Sequence, residues 1–115
     1  QYGTPTYAPH IARSITDCLE IFVQSNILST YHLAGDTKCS WKDFAQEIIS
    51  TYENYSDQSY QKPKIVGIPS SEYITKALRP AYSVMNCNQI YRDFGIQASN
   101  WKEGIKDAFE RGLGS

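Results

Sequence analysis

Cysteine is scarce: Cys18, Cys39 and Cys87 form an odd, scattered set of three. No C-x-x-C occurs, so neither a zinc cluster nor a dithiol redox pair has support, and reduced thiols in a cytoplasmic protein are expected. An excess of one charge is also lacking. The formal net charge is −1, and Lys and Arg form no run that could track a phosphate backbone, which argues against a nucleic-acid partner. No apolar stretch approaches ~20 residues, so no membrane-spanning segment is expected. No signal peptide is visible, and the chain does not begin with Met. It opens abruptly on "QYGTPTYAPH", which reads as a cut inside a longer protein or as processing. Glycines are dispersed, with no phosphate-cradling loop. No Ser/His/Asp or paired-carboxylate arrangement can be argued from spacing, so no catalytic residue and no metal ligand is assigned.

What is present is an ordinary globular balance, 41% hydrophobic over 115 residues, enough for one domain or one piece of a larger one. Tyrosine is abundant, at nine. Packing with a buried ring and a wet hydroxyl is the plain explanation, and a surface that stacks sugars or bases is the sharper one.

"YGTPT" reads as a turn, with Thr6 capping a helix over roughly 7–24 whose apolar face is Ile11, Ile15, Cys18, Leu19 and Phe22. Tyr31-His32-Leu33 alternate and stop at Gly35, suggesting a short strand and a turn. Ser40 and Asp43 are spaced as a capping box, and Trp41, Phe44, Ala45, Ile48 and Ile49 form the apolar face of a helix over 41–53. "ENYSDQSYQKP" is a polar loop. "KIVGIP" reads as a strand, Ser70 as the cap of a brief helix over 71–77, and "YSVMN" as extended. Asn86 and Gln89 pair as a cap for a helix that stops at Gly95, and Asn100 with Glu103 caps a last helix over 101–112. The expected fold class is therefore α/β, of an α+β-like kind, with about five helices and three short strands, too few for a doubly wound sheet.

Few residues carry a chemical signal. Tyr60 and Lys64 match Y-x-x-x-K, but Pro63 would break the helix that this pair needs, so the match reads as coincidence. Asn54-Tyr55-Ser56 matches a glycosylation sequon without a secretory context. His10 and His32 stand alone. Arg79 is different. The residue before a proline is pushed out of helical backbone angles, so the chain turns there and sets a guanidinium at a corner. Such a corner suits a bidentate grip on phosphate or carboxylate; the alternative is a surface arginine, or one paired with an acid such as Glu72.

Four stretches in order, "YGTPTYAPHIARSI", "YHLAGDTKCSWKDFAQEII", "IPSSEYITKALRPAYSVMNCNQI" and "FGIQASNWKEGI", carry a family resemblance over nearly the whole chain. The most specific pieces are G-x-P-T, A-x-R-P-x-x-S and F-G-I followed by a tryptophan helix. They resemble the C-terminal part of the dTDP-4-dehydrorhamnose reductase family, which lies within the extended short-chain dehydrogenase/reductases. His10 departs from the pattern, where relatives often carry an acid, and Met85 and Asn88 depart more mildly. The resemblance implies that residues 1–115 are a substrate-binding domain. It also implies an N-terminal Rossmann domain, missing here, with a glycine-rich turn and a catalytic Tyr-x-x-x-Lys, binding NADPH or NADH. The implied reaction is hydride transfer to the C4 carbonyl of dTDP-4-dehydro-L-rhamnose, with this chain alone inactive. Of the residues here, the resemblance suggests Arg79 for the diphosphate of the dTDP-sugar, Ser83 to support that corner, and Thr4 and Thr6 at the domain junction. The implied partners are the dTDP-sugar and the Rossmann domain; separately, an apolar face left uncovered by the absent domain would favour dimerisation, so a homodimer is expected as well. Two other readings stand beside it. One is a non-catalytic relative, such as the regulatory subunit of methionine adenosyltransferase, and the other is an independent small binding domain.

Overall fold

The structure, a computed structural model, describes residues 1–25, 29–56 and 61–112. In chain order these form strand β1 (Tyr2–Gly3), helix α1 (Ala8–Ser25), strand β2 (Cys39–Ser40), helix α2 (Trp41–Glu53), a 3-10 turn (Ser70–Glu72), helix α3 (Asn88–Phe94) and helix α4 (Trp101–Glu110). Four helices and a two-stranded sheet thus replace the five helices and three strands expected.

The helices follow local chemistry. In α2, the Ser40 hydroxyl accepts the Asp43 N–H at 3.1 Å, and the Asp43 carboxylate accepts the Ser40 N–H at 3.2 Å. That reciprocal box satisfies two of the donors a helix start leaves bare. The Asn100 carbonyl oxygen accepts the Lys102 N–H at 2.9 Å and starts α4. Gly95, at φ 70°, closes α3 in the left-handed region, where a glycine has no Cβ penalty. Thr6 does not cap α1. Its hydroxyl donates to the Thr4 carbonyl at 3.0 Å and accepts the Gly35 N–H at 3.1 Å.

The strands depart from expectation because pairing is a long-range event. β1 lies where a turn was expected and runs antiparallel to β2, with Tyr2 opposite Ser40 and Gly3 opposite Cys39. On the other edge of β1, Tyr2 bridges Tyr82 in parallel. The Tyr2 N–H donates to the Ala81 carbonyl at 2.8 Å and the Ser83 N–H to the Tyr2 carbonyl at 2.9 Å. Residues 31–33 form no strand. Tyr31 instead joins a ring cluster, 6.0 Å from Phe22 and 5.0 Å from Phe94, and its hydroxyl donates to Asp93 at 2.7 Å. Residues 64–69 run without a ladder partner. The brief helix expected over 71–77 shrinks to the 3-10 turn, which has Pro69 at its cap and no capping by Ser70. The Tyr60–Lys64 pair falls partly on residues 57–60, outside the described residues.

Two cores hold the helices. Cys18 of α1 meets Ile90 and Ile96, with Phe22, Tyr31, Leu33, Cys87 and Phe94 around them. Cys39, Trp101 and Ile105 form the second, with Phe44, Ile48 and Phe109, and so join β2, α2 and α4. Ile15 and Leu19 stay exposed, since the apolar stripe of α1 is wider than the core it faces. Gly35 seats the loop before β2: a Cβ there would collide with the Pro5 carbonyl oxygen.

Tyrosine hydroxyls finish these packings. Tyr7 donates to Asp107 at 2.7 Å and Tyr55 to Glu110 at 3.2 Å. The hydrogen bond to Asp107 raises the Tyr7 phenol above its ordinary range, and the one to Asp93 does the same for Tyr31. Among the described residues no helix is long and apolar enough to cross a membrane.

Candidate functional site

The strand triplet of β2, β1 and residues 81–83 floors a cleft of about 290 Å³, lined by residues that include Thr4, Ser40, Trp41, Phe44, Arg79 and Ser83. Two sequence motifs meet here. Gly3, of G-x-P-T, lies so close to the A-x-R-P-x-x-S segment that a Cβ on it would stand 2.8 Å from Ser83 Oγ. The Ser83 hydroxyl donates to the Tyr2 carbonyl at 3.3 Å and doubles the backbone bond beside it. Ser83 therefore fastens the strand that follows Pro80 and sets where the corner lies.

Arg79 stands at that corner, exposed, and among the described residues it is the one lining residue with a charged side chain. Among the described residues the ion pairs are Lys62–Glu53 and Arg111–Asp107, so Arg79 has no protein anion and Glu72 does not hold it. An unneutralised guanidinium in a concave site can bind a phosphate or carboxylate through paired N–H donors.

Of the four residues singled out in the sequence, Arg79, Ser83 and Thr4 come together in this cleft. Thr6 does not. It lines an adjoining apolar cavity of about 310 Å³ between α2 and α4, with Tyr7, Ile48 and Ile105 among its neighbours. Its part is to hold Thr4 by the hydrogen bond to the Thr4 carbonyl.

Two residues escaped the sequence reading. Trp41 was assigned to the buried face of α2, yet it is 65% exposed and lines the cleft. The capping box was the available signal: it makes Trp41 the first helical residue, ahead of the turn that Phe44 buries. Lys38 gave no signal at all. Its ammonium lies 5.9 Å from the centre of the Tyr2 ring and 5.7 Å from that of Tyr82.

The remaining chemistry of the cleft is quiet. Burial pushes the Cys39 thiol above its usual range, so it stays protonated at neutral pH and is a poor nucleophile. The Ser40 backbone N–H holds the Asp43 carboxyl below its usual range, assisted by the Ser40 side chain. Among the described residues no three His, Cys, Asp or Glu side chains gather as metal ligands. The chemistry that the site offers is the holding of an anion by the Arg79 guanidinium.

Comparison with known proteins places the chain in a family. Residues 1–113 match the family model described as "RmlD substrate binding domain". The chain is 31% identical over 109 residues to the dTDP-4-dehydrorhamnose reductase of Sinorhizobium fredii, covering 92% of this chain and 36% of that protein. A crystal structure of a dTDP-4-dehydrorhamnose reductase from Clostridium acetobutylicum superposes with a TM-score of 0.82 at 27% identity, over 100% of this chain and 37% of that one. The Bacillus anthracis reductase, solved in complex with NADP, superposes with a TM-score of 0.76 at 27% identity, over 96% of this chain and 36% of its own. The chain thus spans about a third of the length of these relatives.

Proposed function

Because the chain belongs to the RmlD substrate-binding domain family, we propose that residues 1–115 form the nucleotide-sugar cleft of a dTDP-4-dehydrorhamnose reductase. In this reading NADPH or NADH is held by the part of the polypeptide that corresponds to the rest of the longer relatives. The reaction delivers hydride to the C4 carbonyl of dTDP-4-dehydro-L-rhamnose and a proton to the resulting alkoxide, giving dTDP-L-rhamnose. Both transfers belong to that other part. The residues of this chain bind and orient: Arg79 grips the diphosphate, Ser83 fastens the strand behind it, and Thr4, braced by Thr6, shapes the adjoining wall.

The observation that carries the reading is the state of Arg79, the one charged side chain of the cleft, with no ion pair among the described residues. The cofactor-binding part also accounts for an otherwise costly surface. Ile74 and Leu78, 93% and 102% exposed, sit on the segment leading into Arg79, and such side chains are normally covered.

The test is binding of a dTDP-sugar with and without Arg79→Ala. A charge-assisted contact of ~1.5–3 kcal/mol corresponds to about a ten- to hundredfold loss of affinity. Unchanged affinity removes the diphosphate grip. The purified 115-residue chain should not oxidise NADPH with the dTDP-sugar; turnover by it would overturn the division of labour.

A further inference from the structure

Trp41 lies in the same cleft as Arg79 and is 65% exposed, although it is one of the chain's two tryptophans and among its largest apolar side chains. Its setting is not that of a side chain left loose on a surface. It is the first residue of α2, directly after the Ser40 cap, so its backbone is pinned by the capping box. Its ring stands 6.1 Å from Phe44 at an interplanar angle of 67°, and Phe44 in turn stands 5.6 Å from Trp101 at 73°. Trp101 is 4% exposed and belongs to the second core. A ladder of three rings therefore runs from the core to the cleft and braces the indole, which stays 65% exposed. A pre-set aromatic surface in a concave site that also holds the Arg79 guanidinium matches what a base attached to a phosphate needs, because every base has a π-face to stack while the phosphates meet the cation.

We infer that Trp41 is a stacking platform for the nucleobase of the nucleotide-sugar whose diphosphate meets Arg79. This inference rests on the cleft being the nucleotide-sugar site, as proposed above. Trp41 supplies affinity for the nucleoside end and Arg79 for the phosphate end, so the two contributions are separable by choice of probe. Stacking of this kind is broadly tolerant of the base, so Trp41 raises affinity for nucleotides over bare phosphates without selecting thymine.

The experiment titrates the 115-residue chain with thymidine diphosphate and, separately, with inorganic pyrophosphate. The proteins are wild type, Trp41→Leu, Trp41→Phe and Arg79→Ala, with thermal melts to verify folding. Trp41→Leu is expected to weaken thymidine diphosphate about five- to a hundredfold and leave pyrophosphate affinity as it was, with Trp41→Phe keeping most of the nucleotide affinity. Arg79→Ala is expected to weaken both ligands. Equal loss of both ligands in Trp41→Leu means that the residue shapes the cleft and stacks nothing, which overturns the inference. So does thymidine diphosphate binding that ignores Trp41→Leu. If wild type takes pyrophosphate but gains nothing from the nucleoside, the platform is wrong and the phosphate grip stands. If thymidine diphosphate depends on Trp41 but neither ligand depends on Arg79, the platform stands and the phosphate grip falls. A wild-type chain that takes neither ligand overturns both.

Discussion

The Lys38 ammonium sits 5.9 Å from the Tyr2 ring centre and 5.7 Å from the Tyr82 ring centre, so one cation bridges β1 and the strand that carries Arg79 to its corner. The relation matters because the segment leading to that corner buries almost none of its side chains. Apart from a half-buried Ile65, residues 61–83 are exposed throughout. Besides the Lys62–Glu53 ion pair and the approach of Gly67 to the Lys42 side chain, the segment's position depends on the short parallel pairing at 81–83 and on the attraction of a cation to two ring faces.

Replacing Lys38 should loosen that attachment without unfolding the chain. Lys38→Met is expected to speed amide hydrogen exchange at Ser83 about two- to fivefold, the size of an exposed cation–π contact, whereas Lys38→Arg keeps the slow rate. Exchange at Gly95, whose N–H donates to the Tyr91 carbonyl at 2.8 Å at the end of α3, should not change. Equal rates at Ser83 in wild type and Lys38→Met would show that the ammonium braces nothing.

Gly35 tests close packing rather than backbone angles. It is buried, and an added methyl would meet the Pro5 carbonyl oxygen, which is backbone and cannot swing aside. Gly35→Ala is expected to cost about 1–3 kcal/mol in urea denaturation. The same change should weaken ligand binding, because Pro5 and Thr4 are displaced with it. A variant as stable as wild type would mean the loop relaxes freely.

The Asp43 carboxyl provides a signature in acid. Its pKa is lower in the folded chain than the ordinary value of about 3.9, because the Ser40 N–H bonds its charged form. A depressed carboxyl contributes stability above its unfolded value and loses it as pH falls through the folded one. Asp43→Asn should therefore be less stable than wild type at neutral pH, with the gap narrowing below about pH 4 and closing in stronger acid. Ser40→Ala removes the other half of the box and is expected to cost about 0.5–2 kcal/mol at neutral pH. A gap between wild type and Asp43→Asn that is independent of pH would exclude the ionised cap as its source.

The three thiols should separate in reactivity. Cys18 and Cys39 are buried and Cys87 is half-buried, all three as free thiols. A disulfide reagent at neutral pH is expected to label Cys87 in the native chain and the other two only under denaturing conditions. Cys39 should be slow for a second reason, since burial raises its thiol pKa and starves it of thiolate. Prompt labelling of Cys39 in the folded chain would contradict the packing of β2 against α4.

The helices were largely written in the sequence because their instructions are local. Ser40 and Asp43 lie three residues apart and close their box within one turn, so the expected span of α2 is the observed one, Trp41–Glu53. Gly95 and Asn100 likewise set a stop and a start through atoms a few residues away. Arg79 stood out for a local reason too, the proline after it. The strands and the cleft were decided elsewhere. β1 pairs with residues 39–40 on one side and 81–83 on the other, and nothing around Tyr2 announces partners so distant along the chain. Trp41 fits the helical apolar pattern as well as Phe44 does, but only the packed molecule leaves the first ring 65% exposed in the cleft and packs the second against Trp101. Caps, stops and corners are energies of neighbours, readable residue by residue. Exposure and strand pairing are energies of the assembled chain, and only the assembled chain could assign them.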